Sequence, residues 1–329
     1  MNKFSELIQF MKKSKRTGFQ RFLNYNFFKL WIRITKYKKH PLLINKDTDK
    51  IFFLVDSKEG VIEMRAKQPS TVLNRKGYNS SVHVKNLPNN IENSVIIFVK
   101  YFPFLEVRKA TKKNCLIIYD IVDDVMPHLL EIEGKIADAI IFPNKVMEKD
   151  FKPKLSKYTK SFVSYHNWDP KVETKNKHKN EFSLAYFGSI PDKNALFHKE
   201  IPELNIFEKF EDHVKNKGNF TCFYSMRKER THNFLYKPST KVSTAAAMDA
   251  NIITSRESSA VELLGEDYPY FTDANLGDVK TTVEYAKKTF GGPVWKKGLR
   301  IMKKVKDKTD MRNLVNDYIN IIESFKEIY

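Results

Sequence analysis

Short apolar runs, each fenced by polar residues, punctuate the first half of the chain at Ile51–Val55, Ser94–Val99, Cys115–Tyr119, Ala139–Phe142 and Ser161–Tyr165, and Ser81–Val84 reads as a further strand. Continuous rather than alternating hydrophobicity predicts strands covered on both faces, as in a parallel α/β sheet. The segment after the first run ends at Lys76-Gly77-Tyr78, where the glycine suits the end of a helix. Residues 1–170 therefore read as one α/β unit. Lys171–Asn180 (KVETKNKHKN) then carries one apolar residue in ten and is the best hinge candidate. A second α/β series follows: Phe182–Phe187 closed by Gly188, the neighbourhood of Cys222 within Phe220–Tyr224, and Asn251–Thr254, led into by a helix over Lys241–Ala250. From Lys303 to Tyr329 the positions Leu314, Tyr318, Ile321, Ile322 and Phe325 keep helical spacing and predict a closing helix. The expected division is a leader over 1–45, an α/β domain over 46–172, a second over 173–302, and the closing helix over 303–329. A ligand would sit in the cleft between the two domains, at the carboxyl ends of the strands.

Composition narrows the chemistry. At 329 residues, with 41% hydrophobic positions, the chain supports two packed cores and is not wholly disordered. Only 11 residues are glycine, and neither a G-x-G-x-x-G nor a G-x-x-x-x-G-K-[ST] run occurs. The two cysteines, Cys115 and Cys222, are far apart and sit in apolar runs, so they read as core rather than as a disulfide or zinc pair.

Charge changes the picture more. The net charge is +19, and residues 1–40 hold eleven Lys or Arg against one Glu, a surplus of ten. The same stretch carries nine aromatic residues, among them Phe27, Phe28 and Trp31. Bases interleaved with rings suit an anionic membrane surface. They also suit single-stranded nucleic acid, or an amphipathic helix packed on its own domain. No apolar run reaches the 18 residues that would mark a bilayer span, and the start lacks the apolar core of a signal peptide. The expectation is a cytoplasmic protein, peripheral on the inner face of a membrane through residues 1–40.

Two clusters carry candidate chemistry. Asp120, Asp123 and Asp124 follow the run Cys115–Tyr119, where carboxylates at a strand's end point into the ligand crevice. They could orient a sugar hydroxyl, bind a divalent metal or act as base, or merely charge a helix start. The second cluster spans Lys237–Gly265. Lys241 precedes the small-residue stretch Ala245–Ala247, a strand opens onto Ser255, Glu257 and Ser258, and Glu262 follows. A lysine, hydroxyls and N–H groups at a helix start suit a diphosphate, and a carboxylate suits the paired hydroxyls of a ribose.

These motifs, in this order, resemble a GT-B glycosyltransferase of the large family-4-like group that uses nucleotide sugars. The likeness runs through Gly60-Val-Ile-Glu-Met-Arg65 to Gly77, Ile118-Tyr-Asp-Ile-Val-Asp-Asp124, Ile136–Asn144, Tyr165-His-Asn-Trp-Asp169, Ala185-Tyr-Phe-Gly-Ser189, and Lys241 with Ala245–Ile253. It covers roughly residues 51–300. Asn251 stands where the family has proline, and the paired glutamates eight apart are absent, since Gly265 follows Glu257 and Tyr270 follows Glu262 at that spacing. The resemblance implies two Rossmann-like domains and transfer from a nucleotide diphosphate sugar to a glycan or lipid-linked acceptor. It implies no metal and no cofactor beyond the donor as substrate. By this likeness Lys241 neutralises the diphosphate, Gly188 and Ser189 let the backbone approach it, and Ser255, Glu257 and Ser258 line it. Glu262 holds the ribose. Asp123, Asp124 or His166 serves as base. The competing expectations are a nucleic-acid-binding protein, a metal-dependent transferase built on the aspartates, and an inactive transferase-like scaffold.

Overall fold

The computed structural model describes residues 17–35, 43–44, 48–56, 60–123, 127–174, 180–190, 195–229 and 231–326. Its first sheet has six parallel strands in the order β2-β1-β3-β4-β5-β6: β1 Lys50–Val55, β2 Asn79–Val84, β3 Val95–Val99, β4 Leu116–Asp120, β5 Ala139–Phe142 and β6 Lys160–Val163. Its second has four, in the order β10-β9-β7-β8: β7 Leu184–Phe187, β8 Leu204–Phe207, β9 Cys222–Ser225 and β10 Asn251–Thr254. Both sheets are all-parallel, and β3, β4, β5, β7, β9 and β10 are buried along their whole length. Their unbroken apolar runs record that double-sided burial. The result is two Rossmann-like domains.

Helices cover both sheets. In the first domain a helical stretch opens as Gly60–Ile62, widens into a π-turn over Glu63–Lys67, and continues as α2 (Gln68–Arg75). The expected glycine stop is present: Gly77 follows at φ +93. α3 (Phe104–Lys112), α4 (Pro127–Glu133) and α5 (Lys145–Phe151) complete the set. In the second domain lie α6 (Phe210–Lys215), α7 (His232–Tyr236), α8 (Thr240–Ala247), α9 (Ser258–Leu264), α10 (Leu276–Lys288) and α11 (Pro293–Lys308). The β8–α6 hairpin of elements carries no strong sequence signal, because Leu204–Phe207 is an edge strand and only its first residue is fully buried.

The ends of the chain depart from the expected division. α11 belongs to the second core, through Trp295, Met302 and Val305, and runs on to Lys308. The chain then crosses back, and α12 (Met311–Glu323) lays Leu314, Val315, Tyr318, Ile321 and Ile322 on the first domain's core. The closing helix therefore starts at Met311 rather than Lys303. At the other end, α1 (Thr17–Thr35) is no separate leader: Phe28 lies in the first domain's core against Phe102 and Phe104, at ring-centroid distances of 5.8 and 5.1 Å. Residues 1–16 and 36–42 of the leader lie outside the described residues.

The two domains touch along their facing carboxyl edges. Beneath that seam a buried cluster ties the crossing helix to the first sheet. Arg65, in the π-turn, donates through Nε (3.0 Å) and Nη2 (2.7 Å) to Asp120 Oδ2, and through Nη1 (3.2 Å) to the Tyr165 carbonyl. Tyr318 of α12 donates to the same Asp120 oxygen at 2.7 Å. Asp120, expected in the cleft, is thus consumed in structure, and its side chain is 1% exposed.

Candidate active site

At the carboxyl edge of the second sheet, β7 ends in Gly188, whose φ of +143 strains any residue with a Cβ. A Cβ there would also run into the Lys241 ammonium. Lys241, on the first turn of α8, donates through Nζ to the Phe187 carbonyl at 2.7 Å and lies 4.5 Å from the centre of the Tyr186 ring. Tyr186 in turn donates its hydroxyl to the Ser189 carbonyl at 3.0 Å, fixing the turn. A cavity of about 200 Å³ opens here, lined by Gly188, Lys241, Thr240 and His213 from the second domain and by Met64 from the first. Asp169, at the hinge, completes its wall. The sequence-derived trio Gly188, Ser189 and Lys241 is therefore brought together.

Sequence reasoning missed the second cation. Arg227 stands two residues beyond β9, and its guanidinium forms an ion pair with Glu257 just beyond β10. Both are buried, the Glu257 side chain at 1% exposure. Arg227 N–H also donates to Ser255 Oγ at 3.3 Å. Burial pushes the Glu257 carboxyl above its ordinary range against the opposing pull of Arg227 and Lys241. Arg227 thus supplies the direct counter-charge to this carboxylate at the strand ends, and Lys241 adds its pull from farther away. The available signal was positional: a basic residue directly after a buried parallel strand points into the crevice.

Glu262 faces the other domain. On α9, it accepts from the backbone N–H of Lys145 (3.0 Å to each oxygen) and of Val146 (3.2 Å), at the start of α5. Tyr165 donates its hydroxyl to it at 3.0 Å. Burial first, and the Glu262 charge second, raise the Tyr165 phenol well above its usual range. Ser259 takes part as well, accepting from Asn144 Nδ2 at 2.9 Å and donating to the Lys237 carbonyl at 2.8 Å. Tyr236 donates to Asp150 at 2.8 Å. Ser258, at the start of α9, is half-buried.

Across the cleft, Asp123 follows β4. Lys100 Nζ lies 2.7 Å from it, and Lys237 Nζ reaches from the second domain to 3.9 Å. Burial favours the protonated form, but Lys100, Lys237 and His166 outweigh it and hold the carboxyl below its ordinary range. Asp123 is therefore ionised at neutral pH. Asp124 lies outside the described residues.

His166 sits at the hinge, 5% exposed. Burial, then the Arg65 charge, push its imidazole down to about 4 against the opposing pull of Asp123 and Asp120, so it is neutral near pH 7. Its Nδ1 lies 2.9 Å from the Asn167 carbonyl. A carbonyl only accepts, so Nδ1 carries the proton and Nε2 the lone pair. The His166 carbonyl accepts from Ser243 of α8 at 2.9 Å, which ties the hinge to the helix that carries Lys241.

No family model matches the chain, and no curated protein matches it in sequence. Solved structures do match in fold. A glycosyltransferase from Rickettsia africae ESF-5 superposes with a TM-score of 0.66 at 11% identity, over 85% of this chain and 99% of that one. The Anabaena HepE protein in complex with UDP gives 0.59 at 12% identity, over 84% and 100%. Sucrose-phosphate synthase from Thermosynechococcus elongatus gives 0.57 at 11%, over 84% and 98%. The fold is the two-domain GT-B architecture of glycosyltransferases, matched over nearly the full length of each.

Proposed function

We propose that the chain is a glycosyltransferase that moves a sugar from a nucleotide diphosphate sugar to a glycan or lipid-linked acceptor. The observation that carries this reading is Lys241 set against the glycine turn at Gly188, at the carboxyl edge of the second sheet, in a cavity that Met64 of the first domain also lines. A fixed cation beside a backbone without Cβ suits a diphosphate leaving group, whose developing charge it stabilises. Charge neutralisation by side chains does the work a metal would otherwise do. Gly188 and Ser189 admit the phosphates, and Ser255, Glu257 and Ser258 shape the second-domain wall. Glu262 holds the ribose once its contacts with Lys145 and Val146 are released. On the acceptor side, Asp123 orients or deprotonates the incoming hydroxyl, and His166, with its lone pair on Nε2, is the second candidate proton acceptor. A UDP donor is favoured by fold likeness to the UDP-bound HepE structure.

The working place in this reading is the cytoplasm, at the inner face of a membrane. Among the described residues no helix is long and apolar enough to cross one. The test is thermal unfolding with UDP-, GDP- and dTDP-sugars. A ligand at about 100 times its Kd adds roughly 2.7 kcal/mol of stability. One nucleotide should raise the midpoint clearly above the others, and no response to any of them would end the donor reading.

A further inference from the structure

The two sides of α1 differ in what covers them. Phe28 and Trp31 face inward, Trp31 lying 6.1 Å from the Phe104 ring. Leu23, Leu30 and Ile34 face outward, at 36%, 52% and 70% exposure, and Phe27, stacked by one face on Phe104 at 5.6 Å, stays 49% exposed beside them. Positions 23, 27, 30 and 34 are spaced by four, three and four, so they form one line along the helix. Leu105, 69% exposed and next in sequence to Phe104, extends the apolar surface sideways. Lys29 and Arg33, both exposed, flank it. Large apolar side chains in a contiguous exposed line mark an interaction surface rather than ordinary surface scatter.

Its position gives the surface a purpose. α1 packs on α3 and α4, and α3 begins at Phe104, directly beyond the carboxyl end of β3. Lys100, four residues before Phe104, holds Asp123 in the cleft. The apolar line therefore runs along the rim of the acceptor side. In sequence, residues 1–40, to which α1 belongs, carry a surplus of ten positive charges. A strip one helix wide with bases beside it fits the boundary layer of an anionic bilayer: the apolar side chains enter between the acyl chains, and the bases meet the headgroup phosphates.

We propose that the outward face of α1, Leu23, Phe27, Leu30 and Ile34 with Leu105, docks on an anionic lipid surface. The docking brings the acceptor side of the cleft down to the headgroup layer. The surface stands on geometry and charge alone. Only its consequence for the acceptor, which would then be presented from the bilayer, rests on the transferase reading.

The experiment is co-sedimentation of the full chain with vesicles of phosphatidylglycerol and phosphatidylcholine, against phosphatidylcholine alone. UDP binding is measured on the same preparations. The wild type should partition at least tenfold more strongly onto the anionic vesicles, and less so as salt rises. Leu30→Glu with Ile34→Glu should lower that partition at least tenfold while the unfolding midpoint holds, since both side chains are exposed. Lys29→Glu with Arg33→Glu should lower it on anionic vesicles only. Unchanged partition of the apolar variant overturns the proposal, as does equal binding to neutral vesicles. A wild-type dimer that the apolar variant splits overturns it too, because a second copy then covers the face. Vesicle binding without UDP binding leaves the surface standing and removes the transferase reading.

Discussion

The Glu262 carboxylate lies 3.0 Å from the backbone nitrogen of Lys145, a residue of the opposite domain. A single side chain of the second domain thereby caps the first turn of a helix in the first, where N–H groups lack partners and the helix dipole favours negative charge. The contact bridges the two domains close to the hinge, where the Tyr165 hydroxyl donates to the same carboxylate. It occupies the carboxylate that the family likeness assigns to the ribose, so closure without ligand and recognition of the nucleoside compete for one group.

Removing that carboxylate should therefore have two effects. Glu262→Gln is expected to weaken the interdomain contact by about 1.5–3 kcal/mol, the worth of hydrogen bonds to a charged group. Small-angle scattering should show a larger radius of gyration than for the wild type. UDP affinity should fall while affinity for inorganic pyrophosphate, which lacks a ribose, stays level. Parallel losses for both ligands would place Glu262 in structure alone.

Lys241→Ala should weaken UDP binding at least tenfold, since a charge-assisted contact contributes about 1.5–3 kcal/mol. The fold should survive, because Lys241 is half-buried on the first turn of α8 and the buried small residues of that helix stay in place. Calorimetry measures the affinity, and an unaltered value removes Lys241 from the donor site.

Arg227 behaves differently because its partner is buried. Arg227→Met leaves the Glu257 carboxylate without its counter-charge and should cost about 3–5 kcal/mol of stability. Adding Glu257→Gln should restore most of it, as the lone charge is then gone. Denaturant unfolding of the single and double variants decides the matter, and a double variant no more stable than Arg227→Met contradicts the pairing.

His166 gives a pH dependence. Its folded-state pKa of about 4 lies below the ordinary 6.5. Between those values the unfolded chain binds a proton that the folded chain refuses, so stability is full above about pH 6.5 and declines as pH falls toward 4. The decline amounts to about 3 kcal/mol at the low end, at roughly 1.36 kcal/mol per unit. In His166→Gln the loss between pH 7 and pH 5 should shrink measurably. An identical pH profile for variant and wild type would show that the imidazole is not held neutral by burial.

Asp123→Asn should reduce turnover by about a hundredfold if the carboxylate orients or deprotonates the acceptor. UDP binding should remain, since the residue belongs to the first domain. Steady-state rates at saturating donor separate the two, and a loss of UDP affinity equal to the loss of rate would move Asp123 to the donor side.

Local pattern determined much of this molecule. The strands β3, β4, β5 and β10 were readable because a strand buried on both faces must be apolar at every position, and that leaves an unbroken run in the sequence. Gly188 and Lys241 were readable because each answers a local need, a backbone that only glycine adopts comfortably and a charge at a helix start. What the sequence could not settle were relationships between segments far apart along the chain. Whether Asp120 faces a ligand or Arg65 depends on a contact spanning 55 residues, and on Tyr318 arriving from a helix that crosses back between domains. Glu262 met Lys145 over a separation of 117 residues, and Arg227 met Glu257 only because β9 and β10 lie side by side. The basic aromatic leader likewise split into two faces only when Phe28 and Trp31 found Phe102 and Phe104. Hydrophobic periodicity sets which residues are covered, because covering is a property of each element's own surface. Which partner covers them, and which charged group is left to face a ligand, is decided by how the elements come together in space.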